Sequence, residues 1–312
     1  MITFDSRTID STGVFLVGEL ERLDPQLHMP LVTVTWHRDI HLREDVTIAD
    51  EASAFTNTTL SAMGSLSPGG KNWVGSKTKE LSGVSLSTDK TTQAMHLWAM
   101  QAGWTIQELA RAEQLGRPID SQKIEALNLK HNMDVDEQVY IGDADLGLTG
   151  LVNNPNITPV GIAAEWTDAT TAKQMLADVN DFLAHSYEQT GYSVCADKLL
   201  LPPDKIALMT QPVTEAGADS ILEYVSKKSL CTTINGRPLD IKPLKWLPGR
   251  GAAGKNRAVA YTQNPLYVRF PMVPLQRTPL EYRGVHQLTT FFGTIGEVEF
   301  VYPETVAYAD GL

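Results

Sequence analysis

The sequence predicts an α+β fold. Helix-period and strand-period stretches are segregated along the chain rather than strictly alternating. One long stretch rich in Ser, Thr and Gly has almost no apolar periodicity, and the last quarter returns to strand-like alternation. At 312 residues there is room for about two domains. Apolar residues make up 42% and charged residues 20%, an ordinary globular balance that supports a sizeable core.

Residues 1–30 hold a short apolar cluster, "GVFLVGEL", followed by "DPQLHMP", where Pro25 and Pro30 discourage regular structure. This reads as an arm that leans on something else. In "LVTVTW", Val32, Val34 and Trp36 alternate with threonines, which predicts a strand. Residues 37–90 are polar and β-branched, with "SPGGKN" at 67–72 as a turn near the middle. The pattern predicts a long two-stranded excursion, which is marginal alone in water, so it is either mobile or laid on a neighbouring subunit, a first hint of assembly.

"TIQE" at 105–108 is a capping box that starts a helix ending near Gly116. Asp120 is the next N-cap candidate, ahead of Ile124, Leu127, His131, Val135 and Val139 at helical spacing. About twenty residues make a rod of ~30 Å with one narrow buried stripe. Met175, Leu176, Val179, Phe182, Leu183 and Tyr187 mark an amphipathic helix that Gly191 ends. "LLLPP" reads as a buried strand stopped by prolines, a third helix covers about 215–228, and strands resume from 239.

The chemical-looking motifs are weak. In "LPGRGAAGKN" (247–256), Gly249, Gly251 and Gly254 fit G-x-G-x-x-G, and Gly249, Gly254 and Lys255 fit most of a phosphate loop. Both patterns need a helix to begin at the loop, but "RAVAYTQNP" follows, a strand signature closed by Asn264-Pro265. The stretch therefore reads as a flexible strand-to-strand loop, basic through Arg250, Lys255 and Arg257. "GDADLG" (142–147) lacks the Gly and Glu that a calcium loop requires at its sixth and twelfth positions, and reads as a turn. His37 and His41 share a predicted strand face without a metal-ligating cluster. Local spacing implies no catalytic set, metal site or cofactor.

The net charge of −11 and pI of about 5.1 describe a surface that repels phosphate backbones. "MITFDSRTID" lacks the regions of a signal peptide, and no apolar run approaches the ~20 residues that cross a bilayer. A soluble cytoplasmic product with no membrane partner is the expectation. Cys195 and Cys231 are too few for a disulfide framework, and buried free thiols in a reducing compartment are expected.

"DEQVYIGDADLGLTGLVNNPNIT" (136–158) resembles the segment that leaves the spine helix in tailed-phage major capsid proteins of the Hong Kong 97-type fold. There a helix runs into an apolar strand, a Gly-Asp turn and a "G-L-x-G-L-x-N" run. "FLVGELERLDPQLHMPLVTVTWHRDIHL" (15–42) and "EFVYPETVAYADGL" at the end are similar to one branch of these shell proteins. The resemblance implies an N-terminal arm (1–35), an extended β-hairpin loop (36–90) and a peripheral domain with the spine helix (91–150). An axial domain (151–264) and a return to the peripheral domain (265–312) complete it.

It also implies a structural, non-enzymatic role: self-assembly into hexamers and pentamers of an icosahedral shell enclosing double-stranded DNA, without sequence-specific binding. Assembly in the bacterial host cytoplasm is expected, with portal, scaffolding and decoration proteins as further partners. Assembly contacts are expected at Trp36, Arg38, Arg43, Lys71, Trp73, Arg250, Gly251, Gly254, Lys255 and Arg257. The alternatives are an encapsulin-like bacterial nanocompartment shell protein and a nucleotide-dependent enzyme using the 249–255 loop.

Overall fold

The computed structural model describes residues 30–62, 83–115, 119–162, 164–213 and 219–312. The arm up to residue 29, the turn at 67–72, Lys71, Trp73 and the helix end at Gly116 lie outside them. Thirteen strands occur among the described residues. They are β1 (His41–Arg43), β2 (Ala52–Ala62), β3 (Val84–Ala94), β4 (His96–Thr105), β5 (Val160–Gly161), β6 (Lys198–Leu201) and β7 (Asp240–Pro243). Then come β8 (Arg257–Tyr261), β9 (Val268–Arg277), β10 (Glu281–Arg283), β11 (His286–Ile295), β12 (Glu299–Phe300) and β13 (Val306–Asp310).

Three sheets result. One has six strands in the order β1-β9-β11-β10, with β4 along β11 and β12 along β9. The second has the order β5-β13-β8-β6-β7, and β2 pairs with β3 alone. The 22-residue helix Ile119–Tyr140 lies on the six-stranded sheet through Leu127 and Ile124, against Ala102, Trp104 and Phe291. The predicted stripe is the buried one: Leu127, His131, Val135 and Val139 are 5% exposed or less. The capping box also forms, with the Thr105 N–H donating to Glu108 and the Glu108 N–H to the Thr105 hydroxyl (3.0 and 3.1 Å).

The five-stranded sheet is covered on both faces, and side-chain size tells the faces apart. Leu200, Val259, Tyr261, Val306 and Tyr308 point into the core shared with Val135, Val139 and Phe270. Leu199, Leu201, Ala258, Ala260, Ala307 and Ala309 point the other way, toward Met175, Val179, Phe182 and Leu183 of the helix Ala172–Gln189. Alanines on that face let the helix approach closely, which reflects the strand period of two applied to a sheet with two buried faces.

Several expectations are corrected. Residues 31–35 form no strand, and Trp36–Asp39 is a single helical turn. The Asp136 carboxylate accepts from the Thr35 and Trp36 N–H groups (2.7 and 3.0 Å), so a side chain takes the place of a ladder partner. His37 therefore lies in a helical turn and His41 in β1, not on one strand face. Asp120 sits inside the long helix rather than ahead of it, and Val139 and Tyr140 complete that helix instead of opening a strand.

Gly150 explains the "G-L-x-G-L" run. The chain turns back over the helix end, with Leu151 N–H on Val139 C=O and Val152 N–H on Tyr140 C=O (2.8 and 3.0 Å). A Cβ at Gly150 would meet the Tyr140 carbonyl at 2.3 Å. The Asp143 carboxylate accepts from the Asp145 N–H (2.9 Å), the self-bonding turn that the sequence predicts.

Prolines 202 and 203 end β6 but also begin a helix, Pro203–Met209, where a missing N–H does no harm. The third predicted helix runs Ile221–Lys228, and Leu230–Asn235 adds another. Cys195 and Cys231 are not free: they form a disulfide across 36 residues, buried among the helices. β13, expected to return with 265–312 to the first sheet, lies in the five-stranded sheet between β5 and β8.

Candidate functional site at the hairpin base and the 247–257 loop

β2 and β3 make an antiparallel ribbon from Ala52↔Ala94 to Ala62↔Val84. The β-branched threonines favour the pleat, yet they and the serines bury little. Every β3 residue except Gln93 is exposed, Val84 and Leu86 to about two thirds (65% and 67%). A ribbon of this kind has no core, so its direction must be set at its base.

That base is built on Glu299, a fully buried carboxylate in β12. It accepts from Arg43 Nη1 (2.9 Å), Arg269 Nε (2.5 Å) and the hydroxyl of Ser53 in β2. Arg43 also bonds the Ala54 carbonyl (3.0 Å) and forks onto Asp45. The Asp45 carboxyl is held below its usual range mainly by its hydrogen bond from Arg43. Two more bonds fix the ribbon from either strand: Asn57 Nδ2 to Val301 C=O (3.0 Å) and Gln93 Nε2 to Val298 C=O (3.4 Å).

The segment that leads into the ribbon is clamped between the two sheets. Asp136, on the long helix, also accepts from Trp246 Nε1 (2.8 Å) and Lys245 Nζ (3.0 Å). Asp39, fully buried, takes a fork from Arg38 (2.7 and 2.8 Å), Lys198 Nζ (3.0 Å) and the hydroxyl of Tyr140. Burial pushes the Asp39 pKa up, but the bonds from Arg38, Tyr140 and Lys198 outweigh it and hold the carboxyl below its ordinary value. Burial also raises the Tyr140 phenol, so it remains a donor. Trp36 packs into the core, and Arg38 further bonds the Pro243 carbonyl (3.0 Å). Trp36, Arg38 and Arg43 thus all have partners within their own chain.

The 247–257 loop is knit to the same chain. The N–H groups of Gly249, Arg250, Gly251, Ala252, Gly254, Lys255 and Arg257 all donate to internal acceptors. A phosphate-binding loop needs such groups free and converging, so the nucleotide reading fails on geometry as well as on the strand that follows. The loop does lead into a strand, but it is tied down along its length rather than free as its glycines suggest. Arg257 forks onto Asp310 of β13 (2.6 and 2.7 Å), donates to the Val152 carbonyl (2.7 Å) and lies 4.7 Å from the Tyr308 ring centre.

A Cβ at Gly251 would meet the Lys255 and Asn256 carbonyl oxygens and Asp310 Cγ at 2.9 to 3.0 Å, so the close approach there is intramolecular. Gly254 has a positive φ (+74°) and open space beside it. Arg250 and Lys255 are exposed and make no side-chain ion pair among the described residues. The structure thus brings Arg250, Gly251, Gly254, Lys255 and Arg257 into one loop, separate from the base formed around Arg43.

Sequence reasoning missed the acids on which all this turns: Asp39, Asp136, Glu299 and Asp310. A signal existed. Glu299 stands in "VEFVY" and Asp310 in "VAYAD", single acids inside apolar runs, where a charge persists only if paired.

A family model described as "Major capsid protein" matches residues 69–312. No curated protein sequence is matched. Among solved structures, the capsid of Myoviridae phage XM1 is similar at a TM-score of 0.77 and 16% identity, covering 96% of this chain and 100% of that one. The capsid of an empty GTA particle is similar at 0.60 and 11%, covering 94% and 96%. A structure from Mycobacterium phage Che8 follows at 0.58 and 10%, covering 93% and 96%. At these identities the likeness is one of fold.

Proposed function

Since the chain belongs to the major capsid protein family, we propose that it self-assembles into the hexamers and pentamers of an icosahedral shell enclosing the double-stranded DNA of a tailed phage. The observation that carries this reading is the β2–β3 ribbon. It has no core of its own, yet two arginines, a buried glutamate and hydrogen bonds from two side-chain amides hold its base at a fixed angle. An isolated protein has no use for such a projection. A shell subunit does, because the ribbon is completed by the surface of a neighbour.

In this reading residues 1–35 are the arm, 36–90 the extended loop, and 91–150 with most of 265–312 the peripheral domain, the long helix being its spine. The axial domain is 151–264 with β13 added. Arg250 and Lys255 are its candidates for contact between copies. On the other side, Trp36, Arg38, Arg43 and Arg269 set the ribbon's direction, and Lys71 and Trp73 contact the neighbour.

The role is structural, not enzymatic. An acidic subunit encloses DNA without gripping a sequence. Portal, scaffolding and decoration proteins are further partners, and assembly takes place in the host cytoplasm. The nanocompartment and nucleotide-enzyme alternatives are not favoured. Electron microscopy of the purified full chain tests the reading: uniform icosahedral shells support it, and a protein that stays monomeric at high concentration overturns it.

A further inference from the structure

The face of the β2–β3 ribbon that turns toward the body carries more than its anchors. Strand alternation puts Phe55 and Asn57 of β2 on that face together with Thr91 and Gln93 of β3, because Phe55 pairs with Thr91 and Ser53 with Gln93. These four residues, the turn after the long helix and the segment 297–303 enclose a hollow of about 330 Å³. That size lies at the low end of small-molecule sites. No Lys, Arg or His lines it.

The polar groups of the hollow are fixed in place, and their bonding is incomplete. Asn154 is only 8% exposed. Its Oδ1 accepts from the Asn156 N–H (2.9 Å), which settles which end of the amide is oxygen; among the described residues its Nδ2 donates to nothing. A buried amide donor without an acceptor is costly, so it marks a place for an outside one. Glu297, half-buried, takes the Thr149 N–H and hydroxyl on Oε1 (2.8 and 2.6 Å), and its Oε2 has no donor among the described residues. Asn57 is pinned through Nδ2 to the Val301 carbonyl, which leaves Oδ1. The exposed side chains of Thr91 and Asn156 also bond nothing described. Beside these groups lie the apolar faces of Phe55 on the ribbon and Phe300 on the body.

The chemistry of this set selects its ligand. A phosphate or carboxylate would meet a carboxylate and no cation. A purely apolar ligand would strand the Asn154 amide and the Glu297 carboxylate. A sugar ring suits both kinds of wall. Each of its hydroxyls donates and accepts, so neighbouring hydroxyls satisfy an amide and a carboxylate together, while the C–H face of the ring packs on an aromatic side chain. We propose that this hollow is a binding site for a neutral sugar, about one or two rings long, free or at the end of a longer glycan. Its walls come from the ribbon and the body alike, so the bound sugar also ties the ribbon to its base. The inference does not rest on the capsid reading: a chain that forms no shell carries the same hollow, and shells could form with it empty.

Saturation-transfer NMR on the purified full chain tests it, with a panel of neutral hexoses, N-acetylhexosamines and their disaccharides. At least one should bind saturably, with a Kd of about 10 mM or tighter. Retention of the chain on beads carrying the same sugar shows that a tethered glycan is accepted; binding without retention restricts the site to free sugar. Glu297→Gln keeps an acceptor for Thr149 but turns Oε2 into a donor, and should weaken binding at least about tenfold. Asn156→Ala and Thr91→Val remove side chains that bond nothing described, and each should weaken it about three- to fivefold with the melting temperature unchanged. No saturable binding by any member of the panel overturns the proposal, as does an affinity that Glu297→Gln and Asn156→Ala leave unaltered. Tighter binding of n-butylamine than of every neutral sugar also overturns it, because the hollow is then a site for a cation.

Discussion

Arg257 offers the sharpest test of how the 247–257 loop is held. By sequence it belongs to a basic loop facing other copies, and its loss should then leave the isolated subunit unaffected. By structure it is the first residue of β8, its side chain 12% exposed and that of its partner Asp310 5% exposed. Arg257→Ala leaves the Asp310 carboxylate buried with the Ala252 N–H as its remaining donor (2.9 Å). Breaking a buried pair in this way costs about 3–5 kcal/mol. The Val152 carbonyl also loses a donor, about 1 kcal/mol more. Taking the low end, because Arg257 is not wholly buried, the subunit should lose about 3 kcal/mol, roughly a hundredfold in the folded-to-unfolded ratio. Lys255→Ala, two residues away and exposed, should stay within about 0.5 kcal/mol of the parent. Urea unfolding of dissociated subunits, followed by tryptophan fluorescence, reads both. The double variant Arg257→Ala with Asp310→Ala should lose less than the sum of the singles, since no buried charge is left alone. If Arg257→Ala unfolds within about 1 kcal/mol of the parent, or no differently from Lys255→Ala, the pair is not what fixes the loop.

Three further outcomes are expected. Deleting 58–88, in register because Thr58 pairs with Thr88, and closing the gap with a short turn keeps the Ser53, Asn57 and Gln93 anchors. The trimmed subunit should melt within a few degrees of the parent and fail to form shells; normal shells by electron microscopy would refute the role of the ribbon. Burial lowers the His131 pKa from 6.5, and its Nε2 has no hydrogen-bond partner. The unfolded chain then binds the proton more readily, so stability is full above pH ~6.5 and falls as the pH drops below it. A thermal-melt series from pH 7.5 to 5 should be flatter for His131→Leu; equal slopes would contradict the assignment. Finally, a 36-residue loop closed by a disulfide contributes up to ~4 kcal/mol by the chain-entropy estimate. Cys231→Ser should lower the urea midpoint, and mass spectrometry of the unreduced parent should find it 2 Da lighter than the reduced chain, about one Da per thiol.

What the sequence determined by itself were the features set by local period and local chemistry. The buried stripe of the long helix follows from apolar residues three and four apart, and the capping box from Thr105 and Glu108 reaching each other within one turn. The polar ribbon was legible because β-branched residues without an apolar face make strands that cannot stand alone, and the false phosphate loop because a strand follows it. Tertiary structure decided everything that depends on a distant charge. Val32, Val34 and Trp36 alternate like a strand, yet Asp136, a hundred residues away, takes the two backbone N–H groups and makes a helical turn instead. Arg43 and Arg257 look like free surface cations until Glu299 and Asp310 arrive from the other end of the chain. The disulfide, likewise, needed Cys195 and Cys231 to be brought together by helix packing. Periodicity is written in neighbouring residues, whereas the pairing of a buried charge is a property of two positions that only the fold makes adjacent.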